Sequence, residues 1–313
     1  MKPRTSSPLS MGVISRFISA NPAGHGESFY RAFNQAFASE AEPIVLGCMD
    51  APANLAQHLF PSWATRQVVS LSPLATLYLK SKEVFSWVNH SKFDNVLIYD
   101  GALEDLWLAW NLAIQQPNRT ILFNFHFADH LYVQLDLGNT RTTTPSVSSR
   151  LRFLLRNKPK NLLLFAESRI LSEMIASKLG CTILEFPVST TIETPKFSAG
   201  EQRNIDVLVV SRDDNINWVR LFLRELCSES HQKLKIIVQD FSKKLSPTTD
   251  CYSVISGQIS WEEYLSLNAK AKVVVLPYFS DFYRLGSSGR LQDALVSGAF
   301  PFVPARTAMF DWL

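Results

Sequence analysis

Residues 274–307 read VVLPYFSDFYRLGSSGRLQDALVSGAFPFVPART and carry the strongest signal for the fold. A short apolar run ends at Pro277 and Tyr278, and a polar loop leads to Ser-Ser-Gly at residues 287–289. These residues predict the start of a helix, Gly298 predicts its end, and a second apolar run follows over 299–303. Such a succession of strand, helix and strand is typical of a parallel sheet, because a parallel connection needs a crossover long enough for a helix.

The same alternation extends over the whole chain. Before residue 189, the sequence predicts strands over 11–15, 43–47, 67–71, 95–100, 120–125, 162–166 and 182–187, with a helix over 28–38. From residue 205 it predicts strands over 205–211, 234–240, 272–278 and 299–303, with helices over 217–227, 261–269 and 288–297. The polar segment 189–204 has neither period. We therefore predict an α/β protein of two Rossmann-like, doubly wound parallel-sheet domains that face a cleft, at 1–190 and 205–313, joined by a linker at 191–204.

The composition excludes several classes of protein. The chain has 313 residues, of which 46% are apolar and 19% charged, and its formal net charge is +3. That apolar fraction excludes a disordered chain, and the small net charge gives no sign of a nucleic-acid partner. No run approaches the roughly 18 to 20 apolar residues that cross a bilayer. Arg16 interrupts the amino-terminal apolar run, so we expect a cytoplasmic protein without a secretory signal.

The four cysteines, Cys48, Cys181, Cys227 and Cys251, stand far apart and form no CxxC pair. This spacing suits buried thiols in a reducing compartment better than disulfides or a zinc site. We therefore predict that all four are unpaired packing residues.

The start of the helix near residue 288 has the features of an anion site. Amides at the amino end of a helix lack partners within the helix, and Gly289 has no side chain to hold a phosphate away. Asp293 lies one turn later on the same face, roughly 6 to 8 Å along the axis. That distance suits a nucleotide whose diphosphate meets the amides of Ser287, Ser288 and Gly289 and whose ribose meets Asp293. The alternative is an ordinary serine cap followed by an exposed aspartate.

These residues resemble the donor-binding end of GT-B glycosyltransferases, especially the retaining group around family 4. In that family a helical acid, followed by alanine and then by glycine five residues after the acid, binds the nucleotide ribose. Asp293, Ala294 and Gly298 match this pattern. The resemblance implies a transferase that moves a sugar from a nucleotide-diphosphate donor to a hydroxyl acceptor with retention of configuration. Because the chain contains no DxD motif, we predict metal-independent transfer without a cofactor beyond the donor substrate.

The sequence departs from the family pattern near the donor. The glutamate that usually contacts the donor sugar, eight residues before the ribose acid, is replaced by Leu285. Arg212 matches the family's phosphate-binding arginine, but no lysine follows it at the usual spacing. Arg284 is our candidate for the second positive charge, since a guanidinium binds phosphate oxygens in a bidentate manner. The alternative is that Arg284 forms a surface ion pair.

Two segments of the first domain are further candidates. Gly24 and Gly26 lie in a glycine-rich turn after the first strand, where a ligand can approach backbone amides. Phe29 stands where a dinucleotide fingerprint has its third glycine, which makes a dehydrogenase a minor option. His126 follows a predicted strand, and in the family a histidine there contacts the donor sugar. A structural histidine is the alternative, and an aromatic, strand-like context argues against a His126–His130 metal pair.

The segment 141–160 is basic and apolar without an acidic residue. Residues 150–160 are predicted to contact an anionic membrane surface or to bind an acidic acceptor. The alternative is a solvated helix face. The expected acceptor is a glycan, a lipid-linked group or a small molecule. The rivals to glycosyl transfer are a nucleotide-sugar epimerase of the same fold and a non-catalytic sugar-nucleotide or glycan-binding protein. GT-B enzymes normally have further helices after the last strand of the second domain, so we predict that the second domain is incomplete here.

Overall fold

The structure is a computed structural model, and the parts of the chain that it describes are residues 10–14, 43–47, 58–59, 73–101, 103–125, 155–185, 203–229, 234–245, 249–257, 259–279, 283, 286, 288–310 and 313. The chain divides into two compact units, Met1–Ser189 and Thr190–Leu313. Each unit contains one parallel sheet with helices, so the predicted α/β class with two Rossmann-like layers is confirmed.

The first unit is built on a sheet of seven strands. They are β1 (Met11–Ile14), β2 (Pro43–Gly47), β3 (His58–Leu59), β4 (Asn95–Gly101), β5 (Thr120–Phe125), β6 (Leu162–Ala166) and β7 (Leu184–Glu185). The helices described are α1 (Pro73–His90), α2 (Leu103–Gln115) and α3 (Arg169–Leu179). The strand order is β3-β2-β1-β4-β5-β6-β7, and every pair is parallel. Chain order therefore reverses between β1 and β4, as in a doubly wound fold.

The second unit repeats this plan with five strands. They are β8 (Ile205–Ser211), β9 (Ile236–Asp240), β10 (Tyr252–Ser256), β11 (Ala271–Val275) and β12 (Phe300–Phe302), and the helices are α4 (Ile216–Glu229), α5 (Trp261–Lys270) and α6 (Gly289–Val296). The parallel order is β10-β9-β8-β11-β12, so the reversal falls between β8 and β11. Apolar clusters cover both faces of the sheet: Leu208 and Val210 pack on one side and Val209 on the other. This two-sided burial explains the continuous apolar run in β8.

Most of the strands lie where the sequence predicts them. The predicted bounds are exact for β2, β5, β6 and β8, whereas β11 stops at Val275 instead of Tyr278. The sequence analysis missed β3 and β10. The latter, YSVIS, is an edge strand with partly exposed residues, and its polar alternation gives a weak strand signal. The predicted strand 67–71 and helix 28–38 fall outside the described residues.

The cysteine prediction is wrong for one pair. Cys227, in the last turn of α4, forms a disulfide with Cys251, which precedes β10, and their Cα atoms lie 6.0 Å apart. Sequence spacing could not reveal the pair, because the crossover through β9 brings together residues 24 positions apart. Cys181 is a free, partly buried thiol, and Cys48 lies outside the described residues. Among the described helices, none is long and apolar enough to span a bilayer.

Candidate functional site

The carboxyl edge of the second sheet gathers the polar residues of this unit. Arg212 follows β8, Phe241 follows β9, and Tyr278 lies three residues after β11. Since these three strands are neighbours and parallel, their carboxyl ends meet at one edge. Arg212 and Tyr278 flank the reversal between β8 and β11, which is where open α/β sheets bind ligands.

Helix α6 approaches this edge with its amino end. Helices α3 and α5 each begin at a serine whose side chain accepts a hydrogen bond from an amide of the first turn, at Ser168 and Ser260. Ser288, which precedes α6, has an extended backbone and makes no such capping bond. Its carbonyl accepts a hydrogen bond from the Leu291 amide at 3.0 Å. The first turn of α6 therefore begins without the serine cap that the other two helices use.

The carboxyl end of α6 is fixed by Gly298 and Arg203. Gly298 takes the left-handed φ of +66°, as the sequence predicts for the residue that ends this helix. Its amide donates to the Leu295 carbonyl at 2.8 Å, and the Ala299 amide donates to that of Ala294 at 2.9 Å, which is a Schellman ending. Arg203 donates to the carbonyls of Ser297 and Ala271 and so ties α6 to the start of β11. Helix α6 is thus held in place at the end distant from the candidate site.

Asp293 lies on α6 and is partly buried. Its Oδ2 accepts a hydrogen bond of 2.6 Å from the hydroxyl of Tyr264, a buried residue of α5. Burial raises the pKa of the Asp293 carboxyl, while the Tyr264 hydrogen bond and the positive charge of Arg290 oppose that rise. The carboxylate therefore contacts a buried residue of its own unit, and Tyr264 and Arg290 offset only part of the cost of burying its charge.

Arg290 lies in the first turn of the same helix. Its guanidinium carbon is 4.9 Å from the ring centre of Phe241 and 4.8 Å from that of Tyr264, within the range of cation–π contacts. Its Nη1 donates to Oε1 of the buried Gln239 at 2.8 Å. The two rings and one amide thus hold a cation next to Asp293.

The segment that carries Phe241 is ordered by Asp240, the last residue of β9. The Asp240 carboxylate accepts hydrogen bonds from the backbone amides of Ser242, Lys244 and Leu245 at 2.9 to 3.0 Å, and from the Ser242 hydroxyl at 2.6 Å. Burial favours its neutral form, but these donors outweigh burial and lower the pKa of the carboxyl. The turn after β9 is thereby fixed, and Phe241 with it.

Arg212 is oriented by aromatic residues. Its Nη1 donates to the Tyr283 hydroxyl at 2.8 Å, and the rings of Tyr278 and Tyr283 stack with centroids 4.2 Å apart. The Arg212 guanidinium carbon lies 5.9 Å from each ring centre, and Asp214 is a distant ion partner at 3.8 Å. Burial raises the pKa of Tyr278, whereas the charges of Arg290 and Arg212 lower it. Both arginines therefore act on the same buried tyrosine at the sheet reversal.

Of the residues predicted to form the donor site, the structure describes four, all in the second unit: Arg212, Ser288, Gly289 and Asp293. Arg212 lies at the carboxyl edge of the sheet, and the other three lie along α6. The predicted residues Gly24, Gly26, His126, Arg284 and Ser287 lie outside the described residues, as do Leu285 and positions 150–154. Within the described parts of the chain, no group of three His, Cys, Asp or Glu side chains has the arrangement of a metal site.

Sequence reasoning missed Tyr264, Arg290 and Tyr283. Arg290 directly follows the Ser-Ser-Gly motif, so its position near the helix start could have been inferred from the sequence. Tyr264 lies 29 residues before Asp293 and Tyr283 lies 71 residues after Arg212. No local pattern links residues so far apart, and only the packing of α5 and of the loop after β11 reveals their contacts.

No family model matches the sequence, and no curated protein matches it. Solved structures do resemble it. A trehalose-6-phosphate synthase is 11% identical to this chain, and the match covers 96% of this chain and 86% of the synthase, with a TM-score of 0.63. The catalytic domain of starch synthase IV from Arabidopsis thaliana, bound to ADP and acarbose, shares 8% identity over 98% and 84% of the two chains, with a TM-score of 0.62. UDP-GlcNAc 2-epimerase from Neisseria meningitidis, bound to UDP-GlcNAc, shares 12% identity over 94% and 82%, with a TM-score of 0.55.

These likenesses define the class of fold. The chain has the GT-B fold, with two Rossmann-like units, and the three compared proteins match it over most of their length. At such low identity the likeness extends to the fold alone, and the narrower resemblance to family 4 stays a prediction from the sequence.

Proposed function

We propose that the protein is a glycosyltransferase that moves a sugar from a nucleoside-diphosphate donor to a hydroxyl acceptor, with retention of configuration and without a metal ion. The observation that carries this proposal is the placement of Asp293. Its partly buried carboxylate lies one turn beyond the start of α6, which lacks a serine side-chain cap, in a unit whose fold is that of nucleotide-sugar enzymes.

The donor diphosphate would bind at the carboxyl edge of the second sheet. The first amides of α6, from Ser288 and Gly289, would donate to phosphate oxygens, with Ser287 completing the turn. Arg212, already oriented by Tyr283, would neutralise the diphosphate together with Arg284. As the glycosidic bond breaks, negative charge grows on the leaving phosphate, and fixed donors at that position stabilise it. Asp293 would accept hydrogen bonds from the nucleotide ribose.

The first unit would supply the acceptor side of the reaction. In this proposal Gly24 and Gly26 allow close approach of the donor phosphates, and His126 contacts the donor sugar. Residues 150–160 would contact a membrane surface that presents a lipid-linked acceptor, with the protein in the cytoplasm. A glycan or a small hydroxyl compound is the other acceptor class. We propose no nucleic-acid partner for this protein.

A nucleotide-sugar epimerase is the second candidate. The observation that favours it is the likeness to UDP-GlcNAc 2-epimerase, together with Leu285 in place of the usual sugar-binding glutamate. An epimerase would convert the donor without any acceptor. A non-catalytic binding protein would bind the nucleotide sugar and leave it intact.

The test is turnover of candidate donors. UDP-, GDP- and ADP-sugars are incubated with wild-type protein and with Asp293→Asn, and free nucleoside diphosphate and donor isomers are followed by chromatography. Asp206→Asn is the matched control, because Asp206 lies at the opposite, amino edge of the sheet, paired with Lys272. Nucleotide release that is slowed by Asp293→Asn and kept by Asp206→Asn supports transfer. Isomerised donor indicates the epimerase, and intact donor in every mixture, acceptors included, contradicts both enzymes.

A further inference from the structure

The proposed function gives no role to Tyr264, although this residue contacts Asp293 directly. It is 7% exposed, and its hydroxyl donates to Oδ2 of Asp293 at 2.6 Å. Because a buried phenol needs a hydrogen-bond partner, Asp293 stabilises the buried Tyr264 hydroxyl. The same contact nevertheless fixes the orientation of the carboxylate that the proposed function assigns to the ribose. Of the two Asp293 oxygens, Oδ2 is thereby occupied within the protein.

We infer that Tyr264 is a positioning residue for donor recognition: by holding Oδ2 of Asp293, it leaves Oδ1 as the oxygen that accepts from a ribose hydroxyl. This inference rests on the proposed function. The Tyr264 hydroxyl donates its hydrogen bond to Oδ2 of this carboxylate. A carboxylate oxygen fixed in this way accepts from the ligand without first losing rotational freedom.

Neighbouring side chains hold the Tyr264 ring in place. The Arg290 guanidinium lies against one face of the ring and is itself held by Phe241 and by Oε1 of Gln239. The groups that act on the charge of Asp293 are thus Tyr264 from α5 and Arg290 from its own helix, and both oppose the effect of burial. Both favour the ionised carboxylate, whose two oxygens both accept hydrogen bonds.

The test compares ribose-containing and ribose-deficient nucleotides. Binding of UDP, GDP and ADP, and of their 2′,3′-dideoxy counterparts, is measured by calorimetry for wild type and Tyr264→Phe. The substitution keeps the ring and its contact with Arg290 and removes only the hydroxyl. We expect wild type to bind the ribonucleotide about tenfold more tightly than the dideoxy form, as for one charged hydrogen bond. In Tyr264→Phe this ratio falls about three- to tenfold.

The matched control is Tyr252→Phe, because Tyr252 lies on the edge strand β10. It should keep the wild-type ratio. A second readout is the pH dependence of binding. Loss of the Tyr264 hydrogen bond raises the pKa of Asp293 further, so this carboxylate takes up its proton earlier as the pH is lowered. Ribonucleotide binding by Tyr264→Phe should therefore begin to weaken at a higher pH than binding by wild type. If Tyr264 had only a structural role, Tyr264→Phe would weaken the binding of ribonucleotides and dideoxynucleotides equally and would leave the pH profile unchanged.

Arg290→Gln is a second variant should Tyr264→Phe fail to fold. This substitution removes the cation that lies against the Tyr264 ring but keeps the Tyr264 hydroxyl and the Asp293 carboxylate. It should lower the ribose preference as Tyr264→Phe does, by a smaller factor. The inference is overturned if the variants that fold keep the wild-type ratio and pH profile, or if wild type binds the diphosphates without a ribose preference. If wild type binds none of the three diphosphates, the proposed function itself fails, which is a distinguishable result.

Discussion

Asp293 combines a stability cost with the binding role that we propose for it, a pairing common at functional sites. Its pKa is raised from the ordinary value of 3.8, with burial as the largest cause. The folded state therefore holds a proton that the unfolded state has released at the same pH, and the stability contributed by this group falls as pH rises from about 4 through the folded pKa. Above its folded-state pKa the charged carboxylate lowers the free energy of unfolding.

We accordingly expect Asp293→Asn to unfold at a higher temperature than wild type at pH 7, with the difference shrinking towards pH 4. Asparagine can still accept from the Tyr264 hydroxyl, so packing is kept. Asp206→Asn provides a control of opposite sign, because hydrogen bonds from Lys272 and Lys235 lower the pKa of Asp206. Thermal unfolding from pH 4 to 8 is the measurement. A difference between Asp293→Asn and wild type that does not change with pH would contradict the assigned burial of the charge.

At the scale of single elements, the ending of α6 can be tested at Gly298. An added Cβ there would meet Arg203 Nη2 at 2.8 Å in a backbone of φ +66°, so alanine would be strained and would displace the arginine that ties α6 to β11. We expect Gly298→Ala to lower the free energy of unfolding by about 1 to 3 kcal/mol. The control is Gly257→Ala, also at positive φ, whose Cβ would meet only the flexible Lys243 side chain.

Urea unfolding of the two alanine variants measures the difference. The larger loss should fall on Gly298→Ala, and nucleotide binding should weaken with it if α6 shifts. Equal losses for the two variants would show that the Arg203 contact adds nothing to the backbone strain.

The disulfide between α4 and β10 is a second test at this scale. Closing a loop between residues 24 positions apart is worth about 3 kcal/mol in the chain-entropy account. We expect a reductant, or Cys227→Ser, to lower the free energy of unfolding of oxidised protein by about that amount, while Cys181→Ser leaves it nearly unchanged. Thiol labelling followed by mass spectrometry checks the pair directly. Free thiols at both Cys227 and Cys251 in non-reduced protein would contradict it.

The sequence predicts the larger elements well because their signals are local. Continuous apolar runs identify β5, β6 and β8, and the Ser-Ser-Gly and Gly298 signals bracket α6 closely. The short edge strands β3 and β10 were missed, since β3 has only two residues and the residues of β10 are at most partly buried. The Cys227–Cys251 pair and the Tyr264–Asp293 contact depend on how helices pack across a sheet. Such contacts follow from the tertiary fold and leave no pattern in the sequence.

At the scale of the whole molecule, the strand order reverses once in each sheet, and in the second unit polar residues gather at that reversal. In the second unit, Arg212 and Tyr278 flank the reversal, and α6 brings Asp293 and Arg290 to the same unit's carboxyl edge. A guanidinium for phosphates and a carboxylate for a pentose are the groups that a nucleoside diphosphate requires. We therefore predict that the second unit alone holds enough of the nucleotide site for binding to be measured before any acceptor is known.

Calorimetric titration of wild-type protein and of Asp293→Asn with UDP, GDP and ADP tests this claim most directly. We predict that wild type binds at least one of the three with micromolar affinity, and that Asp293→Asn binds the same nucleotide about tenfold more weakly. Asp206→Asn should bind it as wild type does. Equal affinities for wild type and Asp293→Asn, or no binding of any of the three by wild type, would contradict the account.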